Sequence, residues 1–208
     1  MILKAERIVE LLRRNNDKPD VPDPLFIIPC PNLENLKESG SASIDLRLGT
    51  WFVTPRHARI SHLDIVGGES AQAQLTKTTY VPYGSEYFLH PRTFVLGVTI
   101  EWLRLPKNLA GYLVGKSSWG RCGLIIATAA GVHPGFKGCL TLELTNAGED
   151  SIPVKPGMTI CQLFFHKVET SDTENIDMSR FVGERRPTLY KIQLDEVARK
   201  LSKPYSIP

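Results

Sequence analysis

The spacing of apolar residues changes twice along this chain. Over residues 2 to 14, Ile2, Ala5, Val9 and Leu12 recur at helical spacing with Lys4, Glu6 and Arg7 between them, which predicts an amphipathic helix. Three prolines within NNDKPDVPDP, residues 15 to 24, break that pattern. From about residue 26 to 168 the runs become short and β-like: SIDLRLGTWFV, EYFLHPRTFVLGVTI, GYLVG, GLIIAT, CLTLELTN and TICQLFFHKV, separated by Gly, Pro and Asn clusters. Many short strands with frequent turns predict a mainly β domain, a sandwich or a barrel. Near the end, Leu194, Val197, Ala198 and Leu201 return to helical spacing. The polar residues 169 to 188 between them, an acidic stretch and then GERRP, read as a loop or tail that orders on a ligand or a neighbouring subunit. The expected organisation is an N-terminal helix and linker (1–24), a β-rich domain (25–168) and a tail with a short helix (169–208).

Composition narrows the function classes. A chain of 208 residues, 42% hydrophobic and 23% charged, suits one soluble domain with appended segments. A net charge of +3 with scattered basic residues does not argue for nucleic acid, and is compatible with a small anionic ligand. The four cysteines, Cys30, Cys122, Cys139 and Cys161, form no C-x-x-C pair, so neither a zinc site nor a disulfide framework is expected. The N-terminal run carries charges unlike a signal peptide, and no run reaches the roughly 20 apolar residues of a membrane span. A cytoplasmic protein with free thiols is expected.

The stretch VGKSSWGRCG at residues 114 to 123 ends like a phosphate-binding P-loop. A P-loop needs G-x-x-x-x-G-K-[ST], and Ala110 stands where the first glycine belongs, with Gly111 one residue late. Trp119, Gly120 and Gly123 do not read as the opening of a helix either. The residue types still suit a phosphate: two hydroxyls, a lysine, an arginine and glycines that permit close backbone approach.

Four segments in order, SIDLRLG (43–49), LPKNLAGYLVGKSSWGRCGL (105–124), AAGVHPGFKGCLTLELTN (129–146) and PGMTICQLFF (156–165), resemble the dCTP deaminase family of the dUTPase superfamily. The resemblance implies a distorted, jelly-roll-like β-barrel of the dUTPase fold. It implies hydrolysis of dCTP to dUTP and ammonia, magnesium bound through the substrate triphosphate, and a homotrimer with active sites shared between subunits. By the same resemblance Glu143 falls on the catalytic glutamate, while Lys116, Ser117, Ser118 and Arg121 fall on the segment that holds the triphosphate. His133 and Thr141 fall in the nucleotide-contacting hairpin, and Gln162, Tyr190 and Gln193 match residues that close over the nucleotide.

The chemistry agrees with that placement. Deamination of cytosine needs a water delivered to ring carbon 4, a group that takes its proton, and a group that protonates the ring and the leaving amine. One carboxyl does both if burial raises its pKa towards neutrality. If CLTLEL is a strand, Glu143 lies on the face opposite Leu140, Leu142 and Leu144. The zinc-deaminase signature H-x-E…P-C-x-x-C is absent, which predicts a reaction without metal at the reacting carbon. Histidine 133 stands where the family usually carries aspartate, the residue that activates water against the phosphate in dUTPases. Pyrophosphate release as a second step is therefore not expected, because a histidine is no fixed negative charge near pH 7. Two other readings are a dUTP diphosphatase and a non-catalytic nucleotide-binding module. Asp45 and Arg47, on one face of a strand, are expected to be structural, and His57, His62, His90 and His166 have no motif support.

Overall fold

The computed structural model describes residues 1–17, 22–55, 76–126, 131–169 and 183–187. Its strands lie in three sheets. The largest has the order β4 (Thr76–Tyr80), β3 (Trp51–Pro55), β6 (Phe94–Arg104), β10 (Lys137–Asn146) and β8 (Leu124–Ile126), with β1 (Phe26–Ile28) also paired to β6. A second sheet runs β2 (Ser43–Arg47), β12 (Thr159–Lys167), β7 (Leu109–Gly115) and β9 (Gly131–Val132). A small pair joins β5 (Tyr87–Leu89) to β11 (Ile152–Val154). The pairings between named strands are antiparallel. The mainly β expectation holds, with separate sheets packed over a common core in place of one closed barrel.

The core follows from strict alternation. Along β10, Leu140, Leu142 and Leu144 are buried while Thr141, Glu143 and Thr145 are only half-buried. The leucine face meets Ile44 and Leu46 of β2 and Leu163 and Phe165 of β12 in one cluster. Each leucine taken fully out of water stabilises the fold by about 2 kcal/mol. The approach is close at Gly97, where a Cβ would stand 3.1 Å from Leu48 and 3.2 Å from Leu144.

The opening helix, α1 (Ala5–Asp17), starts later than its sequence pattern predicts. Leu3 N–H donates to the Phe165 carbonyl at 2.9 Å and Ile2 bridges His166, so the first residues extend the second sheet before the helix begins. Ile2 accordingly leaves the apolar stripe and is half-exposed, whereas Ala5, Ile8, Val9 and Leu12 are buried. Leu3, Ile8 and Leu12 belong to the same core as the sheets. A second helix, α2 (Leu33–Ser39), falls where only β-like runs were expected. Its signals are local: the Asn32 side chain caps the Asn35 N–H at 3.0 Å, and Gly40 closes it at φ 60°. Among the described residues, no helix is long and apolar enough to cross a membrane. The helix expected around Leu194 to Leu201 lies outside them.

Candidate active site

Glu143 sits in the middle of β10, opposite Leu96 of β6, which in turn pairs with Val53 of β3. Its face therefore carries Thr141 and Thr145 beside it and the apolar row Leu96 and Val98 across from it. Among the described residues the carboxyl has no hydrogen-bond or ion-pair partner. Burial raises it above the ordinary glutamate value, and no neighbouring charge contributes to that shift. A half-buried carboxyl raised by desolvation keeps its proton to a higher pH than an exposed glutamate does, which suits a group that both takes and gives protons.

The VGKSSWGRCG stretch follows β7 and forms one turn of helix, α3 (Ser117–Arg121). A helix opening was not expected here. Lys116 supplies the extended cap residue, and its carbonyl accepts from the N–H groups of Trp119 and Gly120 at 3.0 and 3.2 Å. The turn is short because Gly123, at φ 86°, swings the chain back so tightly that a Cβ would stand 2.8 Å from the Gly148 nitrogen. Trp119 anchors the turn by donating from its indole nitrogen to the Thr159 carbonyl at 2.9 Å. Ser117, Ser118 and Arg121 are exposed, and their side chains have no partner among the described residues.

Lys116 behaves differently from its neighbours. Its ammonium donates to both carboxylate oxygens of Asp45, at 2.9 and 2.8 Å. Asp45 pairs in register with Gln162, and Gln162 with Val114, so β2, β12 and β7 bring Asp45, Gln162 and the end of β7 onto one patch. Ser43 donates to the Gln162 side-chain oxygen at 3.3 Å. Asp45, expected to be structural, is thus a half-exposed partner of the candidate phosphate lysine. Arg47, on the same face of β2, has a different role: it donates from Nε at 2.7 Å and from its backbone at 2.8 Å to Glu101, whose side chain is buried. Neither link was legible in the sequence, because each joins residues more than fifty positions apart.

His133 is exposed in the turn that joins β9 to β10, where its carbonyl accepts from the Phe136 N–H at 3.2 Å and Gly135 takes φ 76°. Thr141 lies on the Glu143 face. Tyr190 and Gln193 fall outside the described residues. The structure thus brings Lys116, Gln162 and Asp45 together, sets Ser117, Ser118 and Arg121 on the adjoining turn, and holds Thr141 and Glu143 on the other sheet. Residues 183–187, expected to order on a ligand or another subunit, already dock on this chain: Gly183 N–H donates to the Lys137 carbonyl and Cys139 N–H to the Glu184 carbonyl. His90 bonds Ser151 and His166 meets the edge of Tyr112, whereas His57 and His62 lie outside the described residues.

Comparison with known proteins gives this geometry a context. A family model described as dCTP deaminase-like matches residues 23–168. A Corynebacterium diphtheriae protein named dCTP deaminase, dUMP-forming, is 39% identical over 160 residues, covering 74% of this chain and 83% of that protein. A Haloarcula marismortui protein named dCTP deaminase is 36% identical over 158 residues, covering 74% and 80%. The fold resembles the crystal structure of 2'-deoxycytidine 5'-triphosphate deaminase from Agrobacterium tumefaciens with a TM-score of 0.56 at 21% identity, over 79% of this chain and 47% of that one. With the β10 carboxyl and the α3 turn in place, and a match that spans the whole β-rich region, the chain belongs to the dCTP deaminase-like family.

Proposed function

We propose that this protein hydrolyses the exocyclic amine of dCTP, with Glu143 moving the protons. The observation that carries the reading is the state of Glu143: half-buried, without a partner among the described residues and raised by desolvation alone. Glu143 takes a proton from the water that attacks ring carbon 4, passes protons to the ring and the amine, and ammonia leaves. Ser117, Ser118 and Arg121 hold the triphosphate with their exposed side chains. Lys116 adds positive charge beside Asp45, and Thr141, His133 and Gln162 line the nucleotide. Tyr190 and Gln193 are assigned to closing over it. Magnesium enters with the triphosphate, whose oxygens are the hard ligands it prefers. The assigned compartment is the cytoplasm.

The same reading assigns a homotrimer with shared sites. Thr145, one row from Glu143, pairs with Phe94 and Ile125, which are 44% and 49% exposed. Two apolar side chains in water beside the reactive row suit cover by another copy. Light scattering is expected to give a mass of about three times 23.2 kDa. A monomeric mass with full activity would remove the shared-site assignment.

The product distinguishes two forms of the activity. One water converts dCTP to dUTP and ammonia; a second water converts dUTP to dUMP and pyrophosphate. His133 favours stopping at dUTP, since it supplies no fixed negative charge to activate the second water. The name of the 39% identical relative, dUMP-forming, favours the second form. Purified protein with magnesium and dCTP is expected to release ammonia and dUTP in equal amounts without pyrophosphate. Ammonia with equal amounts of dUMP and pyrophosphate would establish the two-step form, and no ammonia from dCTP would sink the deaminase reading.

A further inference from the structure

Residues 183–187 form a strap across the large sheet. Gly183 N–H donates to the Lys137 carbonyl at 2.6 Å and Cys139 N–H to the Glu184 carbonyl at 2.8 Å. The strap thereby adds to β10 at Lys137 and Cys139, whereas among the described residues β8 pairs with Leu144, Thr145 and Asn146. Beneath it Gly138 adopts φ 142°, and a Cβ there would stand 3.1 Å from the Glu184 carbonyl oxygen. Further along, the Arg186 guanidinium lies 4.2 Å from the centre of the Trp51 ring on β3. Since β6 separates β3 from β10, the strap crosses from the edge of the sheet over its face.

That face is the one that carries Glu143. Val53, Leu96 and Glu143 form a row across β3, β6 and β10, and Trp51 precedes Val53 by two residues, so it points the same way. Along β10, Cys139 precedes Glu143 by four residues, about 13 Å at the rise of a strand. Between strap and sheet lies a cavity of about 510 Å³ lined by Trp51, Val98, Trp102, Cys139 and Arg185, among others. A pocket of this size, walled by aromatic rings and bordered by a cation, continues the surface on which the candidate carboxyl stands.

We propose that Arg186 is a positioning residue: through Trp51 it fixes the strap as one wall of the nucleotide site, on the sheet face that carries Thr141 and Glu143. The proposal rests on the dCTP reading above. A wall contributes equally to binding substrate and transition state, because it touches neither the reacting carbon nor the attacking water. Loosening it raises KM and leaves kcat unchanged.

Two measurements test this on the full chain, using Arg186→Ala, Arg186→Lys and Trp51→Leu. The first is ammonia release over a range of dCTP concentrations, and the second is the rate of trypsin cleavage after Arg185, which reads the docking of the strap without reference to activity. For Arg186→Ala and Trp51→Leu, cleavage and KM are each expected to rise about fivefold with kcat within about twofold, the scale of one cation–π contact. Arg186→Lys, which keeps the cation, is expected to recover more than half of both effects. Faster cleavage with unchanged KM would mean that the strap docks without shaping the site; unchanged cleavage would mean that the contact does not hold it. A fall in kcat at constant KM would place the effect in the chemistry, and each of these results overturns the proposal. A wild-type protein that releases no ammonia overturns the substrate reading and the positioning role with it, whereas an active wild type with unaltered variants removes only the positioning role.

Discussion

Glu143→Gln is expected to bind dCTP as the wild type does and to release ammonia about a thousandfold more slowly. The amide keeps the shape of the side chain and loses the basic carboxylate oxygen that takes a proton from water. The pH profile supplies a second reading of the same group. Burial raises the Glu143 carboxyl, so the acid limb of kcat/KM is expected above the range of an ordinary glutamate. Stability carries the matching sign. A carboxyl whose folded-state pKa exceeds its unfolded value contributes stability that is fully present below the unfolded pKa and is lost as pH rises through the folded one. Above its folded-state pKa the ionised carboxylate therefore costs the fold something, and there Glu143→Gln is expected to unfold at a higher urea concentration than the wild type. A variant that deaminates near the wild-type rate would remove Glu143 from the chemistry; one that loses activity together with nucleotide binding would point to a damaged pocket.

Arg47→Ala is expected to lower stability by about 3 kcal/mol. Glu101 has a side chain only 4% exposed, and Arg47 meets both of its carboxylate oxygens, from Nε and from the backbone N–H. Removing the guanidinium leaves a buried carboxylate with one backbone donor. The figure sits at the lower end for a broken buried pair, because Arg47 is 41% exposed and water can partly replace it. Urea midpoints of Arg47→Ala, Glu101→Gln and the double variant form a cycle that isolates the pair. Additive losses would show that the two side chains do not stabilise each other, contrary to the geometry.

What the sequence reveals about this molecule depends on the range of the interaction. The alternation Leu140, Leu142, Leu144 against Thr141, Glu143, Thr145 is local, and it gives both the strand and the side on which the carboxyl stands. The α2 helix was also written locally, in the Asn32 cap and Gly40, but its seven residues contribute no buried side chain, so no apolar stripe marks it. Ile2 fits a helical stripe in sequence; in the fold, a bridge to His166 claims it for the sheet. The ion pairs lie furthest from sight. Nothing near Lys116 indicates that its charge is met by Asp45, since that meeting depends on β2 and β7 flanking β12 in a particular register. The docking of residues 183–187 depends likewise on backbone groups of Lys137 and Cys139, more than forty positions away, that no local pattern marks.

Cys161 has no solvent exposure in the middle of the second sheet, and burial pushes its thiol up to about 12. It lies one position from Gln162, on the opposite face of β12, with β2 on one side and β7 on the other. Its reaction with a thiol reagent thus requires those strands to part, whereas Cys30 and Cys122 are exposed already. The molecule carries its own clock for the opening of the sheet that holds Asp45 and Gln162. A nucleotide that bridges the two sheets will slow that clock, and one that touches only the Glu143 face will leave it running at the same rate.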